Sequence, residues 1–292
     1  MRSLADVEVL TAETVEEALH LLGERAGSVR VLAGGTDLVV QMKHGVVEKT
    51  DLLNIYGLDE LRYIRLDNAV VKIGALTDFS SIVKSPIIQR AAPVLAEACS
   101  TIGSTQILNK ATIAGNIINA SPAADSLPAL YVLEANLRLR SRSSSRTVAV
   151  REFYKGYKKL DLRPDELLVE VFFDQLTNSH YGKFFKHGLR QGDAIAVVNG
   201  AVLIEWDETS GTVSDARVAL GAVAPTVVRA EKTEEILKGG RLDKETVIRA
   251  AEAVQQSIKP IDDVRGSAAY RRELATNYVY MTLRSLAELV GR

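Results

Sequence analysis

The 292-residue chain is 47% hydrophobic and 25% charged, the shares of an ordinary globular protein; a disordered, collagen-like or coiled-coil chain is excluded, and the length allows about two domains. Thirty-six basic residues against thirty-seven acidic ones leave a net charge of -1, so no global field draws in nucleic acid or an anionic membrane, and partners have to be recognised locally. The single cysteine, Cys99, excludes an internal disulfide framework, a cysteine-ligated zinc site and an iron-sulfur cluster held by this chain alone, and fits a reducing, cytoplasmic compartment.

The opening MRSLADVEVLTAETVEEALHLL breaks its apolar positions with Asp6, Glu8, Glu13, Glu16 and Glu17, so no signal peptide is expected. Nowhere do about 18 uncharged apolar residues run together to span a membrane. Thr14 and Glu17 form a capping-box pair ahead of Val15, Ala18, Leu19 and Leu22, whose spacing predicts one amphipathic helix. A strand is expected at 29–32, running into Gly34 and Gly35, and another at 51–55. The opening therefore reads strand, helix, strand, glycine turn, strand, an α/β layout. A strand at 70–73 follows, then a helix over 87–101 running up to Gly103 with Leu95 and Ala98 inward. Cys99 on that helix has no nearby histidine or base and reads as packing. Period-two alternation over 136–140, answered by 147–150, predicts a hairpin whose serine- and arginine-rich tip, 141–146, is a solvated turn. After a strand at 167–173 the polar stretch 174–180 marks a lobe boundary. Beyond it, strands at 201–206 and 213–220 joined by a turn at 208–211, and helices from about Lys232, Lys244 and Ser267, suggest an α+β lobe.

The four histidines, His20, His44, His180 and His187, show no metal-ligand spacing, and no nucleophile elbow, P-loop or Rossmann fingerprint is present. Two glycine-containing loops remain. In the first, Leu32, Ala33, Gly34, Gly35, Thr36, Asp37 and Leu38 take a strand into paired glycines, a hydroxyl and a carboxylate. Successive N–H groups in such a turn can hold a diphosphate; a plain turn with a helix cap at Thr36 or Asp37 is the other reading. The second, 109–126, is rich in small, amide and hydroxyl residues. Thr112, Gly115 and Asn116 there keep the backbone accessible to an acceptor-rich ligand, and Asp125 can accept from ribityl or ribose hydroxyls. A capped turn over 119–122 leading to a helix is the alternative.

With these residues in order the chain resembles the FAD-binding medium subunit of the molybdenum hydroxylases, almost end to end. Leu32, Ala33, Gly34, Gly35, Thr36 and Asp37 match the first flavin diphosphate loop. Thr112, Ile113, Ala114, Gly115 and Asn116, with Asn119, Ala120, Ser121, Ala124 and Asp125, match the second. Phe184, Phe185, Lys186, Arg190 and 192–196 match the opening of the family's C-terminal lobe, and 219–225 and 265–272 match its later strand and last helix. Ala114 stands where many relatives have a second glycine, and its methyl is expected to narrow the room beside the diphosphate.

The resemblance implies an α+β architecture: a two-subdomain FAD-binding fold of the vanillyl-alcohol oxidase and UDP-N-acetylmuramate reductase type over 1–175 (subdomains about 1–56 and 57–175), and a smaller C-terminal α+β lobe over 176–292. It implies noncovalent FAD held by the two loops together with Leu38, Ile102 and Lys186, and no catalytic or metal-ligating side chain of its own. It also implies a small subunit with two [2Fe-2S] clusters, a large subunit with the molybdenum cofactor, a dimer of heterotrimers, and NAD or another electron acceptor. Lys186 and Arg190 are candidates to stabilise anionic reduced flavin. Tyr154 and Tyr157 are candidates to stack on a ring, and Lys155, Lys158 and Lys159 form a basic patch that can face a partner. An autonomous flavoenzyme of the same fold and a module that has lost FAD are the competing readings. The first would need catalytic serine and glutamate groups in its own substrate lobe; the second would purify colourless.

Overall fold

A computed structural model describes residues 3–291; Met1, Arg2 and Arg292, at the ends of the expected domains, lie outside the described residues. Strand β1 (Val9–Thr11) leads into helix α1 (Val15–Glu24). As the spacing predicts, Val15, Ala18, Leu19 and Leu22 are its buried face, and the Thr14 hydroxyl accepts from the Glu17 N–H at 3.1 Å. The Glu17 carboxylate accepts from Glu13 instead of Thr14, one residue outside the usual box. Strand β2 (Val29–Leu32), helix α2 (Leu38–His44) and strand β3 (Asp51–Asn54) follow, and β3 lies parallel between β1 and β2. Helix α2 enters the sequence reading only through the alternative of a helix cap at Thr36 or Asp37, and Asp37 does take the N-cap position. The helix is two turns long with one fully buried side chain, Met42, so it carries almost no amphipathic signal.

The chain that follows β3 is built on an antiparallel sheet. Its strands are β4 (Ile64–Asp67), β5 (Val70–Gly74), β6 (Asn136–Arg140), β7 (Ser145–Ala149) and β10 (Leu167–Asp174), in the order β4-β5-β10-β6-β7. Between β5 and β6 come helices α3 (Phe79–Lys84), α4 (Pro86–Ala91), α5 (Pro93–Ser100), α6 (Thr105–Leu108), α7 (Ile113–Asn119) and α8 (Ser126–Val132). The single helix expected over 87–101 is thus two, α4 and α5. Pro93 has no N–H to continue α4 and its ring excludes helical backbone at Ala92, which sits at φ -155° and ψ 60°. The hairpin β6–β7 is present, but of the two arginines of its expected solvated tip only Arg142 is exposed. Arg146 donates to both oxygens of buried Glu166, at 2.6 and 2.8 Å, and to Asp161, which holds both carboxyls below their usual range. Helix α9 (Val150–Phe153) and the two-stranded ribbon β8 (Tyr154–Gly156) and β9 (Lys159–Leu160) complete this part.

Strands β11 (His180–Gly188), β12 (Ala196–Asp207), β13 (Thr212–Gly221) and β14 (Val228–Arg229) form the C-terminal sheet, followed by α10 (Glu231–Leu237), α11 (Lys244–Ala253) and α12 (Ala268–Val290). One face, with Phe184, Ala201, Leu203 and Ala219, joins the core of the first 175 residues. The other, with Phe185, Val202, Ile204 and Val218, packs under α10, α11 and α12. Burial on both faces explains why β12 is apolar from Ala196 to Ile204 apart from Asn199 and begins at Ala196, five residues before the strand expected at 201. The motif at 265–272 is structural. Arg271, 1% exposed, donates to the carbonyls of Val197 and Ala222 at 3.1 and 2.8 Å and to Asp263, stapling the start of α12 to β12 and to the residue that follows β13. The Arg265 guanidinium beside Asp263 holds that carboxyl far below its usual range.

Cys99 is fully buried in α5, and burial, aided by the charge of Asp125, pushes its thiol far up. The native chain is therefore expected to react with a disulfide reagent at least about a hundredfold more slowly than the urea-unfolded chain. Equal rates under both conditions would show an open site at α5.

Candidate functional site

The two glycine loops meet backbone to backbone. A Cβ on Gly34 would lie 1.9 Å from the Lys110 carbonyl oxygen, so Gly34 is required by the contact between loops rather than by ligand space. Gly35 has φ +69°, a conformation that favours glycine. Between the end of β2 and the start of α2, the backbone N–H groups of Gly34, Gly35, Thr36, Asp37 and Leu38 donate no hydrogen bond among the described residues. Asp37 takes the N-cap position of α2 without a side-chain cap bond.

The second loop is arranged differently from the expectation of an open backbone. Thr112 caps α7 by accepting from Gly115 N–H at 3.1 Å. The N–H groups of Ile113, Ala114 and Asn116 are bound by the carbonyls of Thr77, Ala75 and Thr112. These donors are spent on the fold, which leaves side chains as this loop's offering. Ala114 packs in the hydrophobic core, so its methyl does not narrow the loop as expected. Asn116 and Asn119, three apart on one helical face, both have their oxygens occupied. Ser126 donates to Asn116 Oδ1 at 2.6 Å; Gln41 and Lys158 each donate to Asn119 Oδ1 at 3.1 Å. Their NH₂ groups make no protein hydrogen bond among the described residues. Ala120 ends α7 in the left-handed conformation, φ 51°, and Ser121 Oγ accepts from Ala123 N–H. Ile102 and Ala124 are buried core residues.

Asp125, 7% exposed, pairs with Lys186 Nζ at 2.6 Å and accepts from Asn199 Nδ2 at 2.7 Å. Lys186 also donates to Thr101 O at 2.8 Å. The pair joins the start of α8 to β11 of the C-terminal sheet. Burial pushes the Asp125 carboxyl up, opposed by the charge of Lys186 and by hydrogen bonds from Lys186 and Asn199. Other candidates lie elsewhere. Arg190 is exposed and binds the Asp193 carbonyl. Tyr154 is not free to stack on a ligand, since its hydroxyl donates to Ile117 O at 3.0 Å and its ring packs on Tyr131 and Phe153. Tyr157 is 62% exposed. All three lysines of the basic patch are exposed, but Lys158 reaches across to Asn119.

Two matches to known protein domains decide the relationship. Residues 5–174 match the FAD-binding domain in molybdopterin dehydrogenase, and 183–286 match the CO dehydrogenase flavoprotein C-terminal domain. This chain belongs to that FAD-binding family. The xanthine dehydrogenase FAD-binding subunit of Escherichia coli O157:H7 is 32% identical over 282 residues, 96% of this chain and 94% of the relative. The carbon monoxide dehydrogenase medium chain of Hydrogenophaga pseudoflava is 35% identical over 275 residues, 93% of each. The solved carbon monoxide dehydrogenase of the same organism, lacking the Mo-pyranopterin moiety, superposes with a TM-score of 0.91 at 34% identity over 95% of this chain and 96% of that one. The mixed fold, an FAD-binding domain followed by a flavoprotein C-terminal domain, is thus that of a medium subunit, and the chain is an oxidoreductase subunit of the xanthine and carbon monoxide dehydrogenase type.

The residues of this family member fit the flavin dinucleotide. Five unpartnered backbone donors on the first loop, and two amide NH₂ groups on the second whose oxygens are already engaged, suit a diphosphate whose oxygens only accept, while the Asp37 carboxylate in the first loop is bound by Gln41. Two participants are missing from the sequence reading. Gln41 gives no signal, being one polar residue on a short helix. Asn199 does: it interrupts the apolar run 196–204 and is fully buried, and a polar side chain in a strand buried on both faces needs a partner.

Proposed function

We propose that this chain is the electron-transfer flavoprotein subunit of a molybdenum hydroxylase complex, taking electrons from [2Fe-2S] clusters of a small partner subunit and passing them to NAD or another acceptor. The row of free N–H groups at 34–38 beside the amides of Asn116 and Asn119 carries the reading. FAD supplies a carrier that takes electrons singly and yields them as a pair. The chain's own task is to hold it. The first loop binds the diphosphate through Gly34, Gly35, Thr36, Asp37 and Leu38, the amides of Asn116 and Asn119 donate to further oxygens, and Asp125 with Lys186 addresses the ribityl hydroxyls. With one cysteine in 292 residues, two clusters have to reside in another chain, and the hydroxylating molybdenum site in a third. The division at about residue 175 is supported by the change of sheet between β10 and β11.

No histidine or cysteine lies within the two loops, so the flavin is expected to be noncovalent, about one per chain, and to appear in the supernatant after acid precipitation. Colour that stays with the pellet would contradict this. To test the complex, the tagged chain is co-expressed with its genomic neighbours. Copurified subunits, iron, molybdenum and substrate-driven bleaching of the flavin are expected, whereas the chain alone oxidises no purine, aldehyde, N-heterocycle or carbon monoxide. A chain that purifies alone as an active dehydrogenase without iron or molybdenum would instead be an autonomous flavoenzyme.

A further inference from the structure

We infer that Lys158 and Gln41 are positioning residues that lock the amide of Asn119 into a donor-outward orientation and latch the two dinucleotide loops together. The inference rests on the cofactor reading above and adds to it two residues outside both loops. Its logic lies in the fixed roles at the two ends of a hydrogen-bond chain. Lys158 sits at the tip of the β8–β9 ribbon in a left-handed conformation, φ 54°, and its ammonium reaches both the backbone oxygen and Oδ1 of Asn119. An ammonium only donates, so the side-chain atom it meets has to be oxygen. At the other end the Asp37 carboxylate only accepts, so the Gln41 group 2.5 Å from it has to be the NH₂. That same NH₂ then donates to Asn119 Oδ1 at 3.1 Å.

Both ends thus impose one orientation on Asn119, with oxygen inward and NH₂ unspent. The chain Asp37, Gln41, Asn119, Lys158 runs from the start of α2 through the end of α7 to the ribbon, so it also fixes the spacing of the two loops. Lys158 adds a positive charge at the carbonyl end of α7, where it is favourable.

Full-length apo-protein of each variant is titrated with FAD, and apo-protein melting is measured alongside. Lys158→Met is expected to weaken FAD binding about tenfold to a hundredfold, the usual range for losing a charged hydrogen bond, and Gln41→Leu about tenfold, with little change in melting. Lys158→Arg, which still donates twice, is expected to recover most of the affinity. The sharpest variant is Asn119→Asp, which keeps an oxygen for both donors and gains a charge opposite Lys158, yet loses the NH₂. It is expected to fold at least as stably as wild type and bind FAD at least a hundredfold more weakly. Wild-type affinity in Asn119→Asp, or affinity within twofold of wild type in Lys158→Met, overturns the latch alone. A wild-type chain that takes up no FAD overturns the cofactor reading, and the latch with it.

Discussion

Replacing Gly34 with alanine is expected to leave a chain that binds no FAD and melts well below wild type. The added methyl would lie 1.9 Å from the Lys110 carbonyl oxygen and 2.7 Å from its carbon, and a backbone group, unlike a flexible side chain, cannot swing away. Relief requires separating the two loops or bending β2. Overpacking of this kind costs about 3 kcal/mol, and every free N–H between 34 and 38 is displaced at the same time. Gly115→Ala is the matched control. Its methyl meets only Thr112 Oγ1, at 3.0 Å, in a helix that alanine favours by about 1 kcal/mol. Melting close to wild type is therefore expected of it. Calorimetry with flavin content checks both, and a Gly34→Ala chain with wild-type melting and full FAD would show that the loops do not meet as described.

The second large effect lies at the bolt between domain and lobe. Lys186→Met leaves the Asp125 carboxylate buried with Asn199 as its remaining side-chain partner, and removing one member of a buried pair costs about 3–5 kcal/mol. The pH dependence has a definite sign. Burial already raises the Asp125 carboxyl above its usual value, and the opposing charge of Lys186 is the largest effect holding it down. In the variant it rises further, so the folded state holds this proton more tightly than the unfolded chain does. Stability attached to such a group is present below the unfolded pKa and is lost as pH rises through the folded one. The deficit should accordingly be largest at neutral pH and shrink on acidification through the carboxylate range. Asp125→Asn combined with Lys186→Met should recover much of the loss, because no charge is then stranded. Denaturant unfolding of the four species at two pH values tests this; deficits that simply add, with no pH dependence, would mean that the pair is not coupled.

The amphipathic spacing of α1, the alternation of β6 and the order of the two glycine loops were legible along the chain because each is a local pattern, set by backbone geometry and the period of burial. So was the family, whose motifs lie in sequence order from Leu32 to Arg272. What each loop offers was not legible. The stretch 112–115 read as an open cradle, yet the N–H groups of Ile113, Ala114 and Gly115 go to the Thr77 and Ala75 carbonyls and the Thr112 side chain, since a helix start set against the segment after β5 has to satisfy its own backbone. The basic run 155–159 read as one surface, but the left-handed turn at Lys158 sends a single member across to Asn119, and a reversal of direction inside a two-residue turn leaves no periodic trace. Lys186 and Asp125, sixty-one residues apart, acquire their meaning only when β11 closes on α8. Local chemistry determined which residues were available, and long-range closure decided which of them still had a free hydrogen to give.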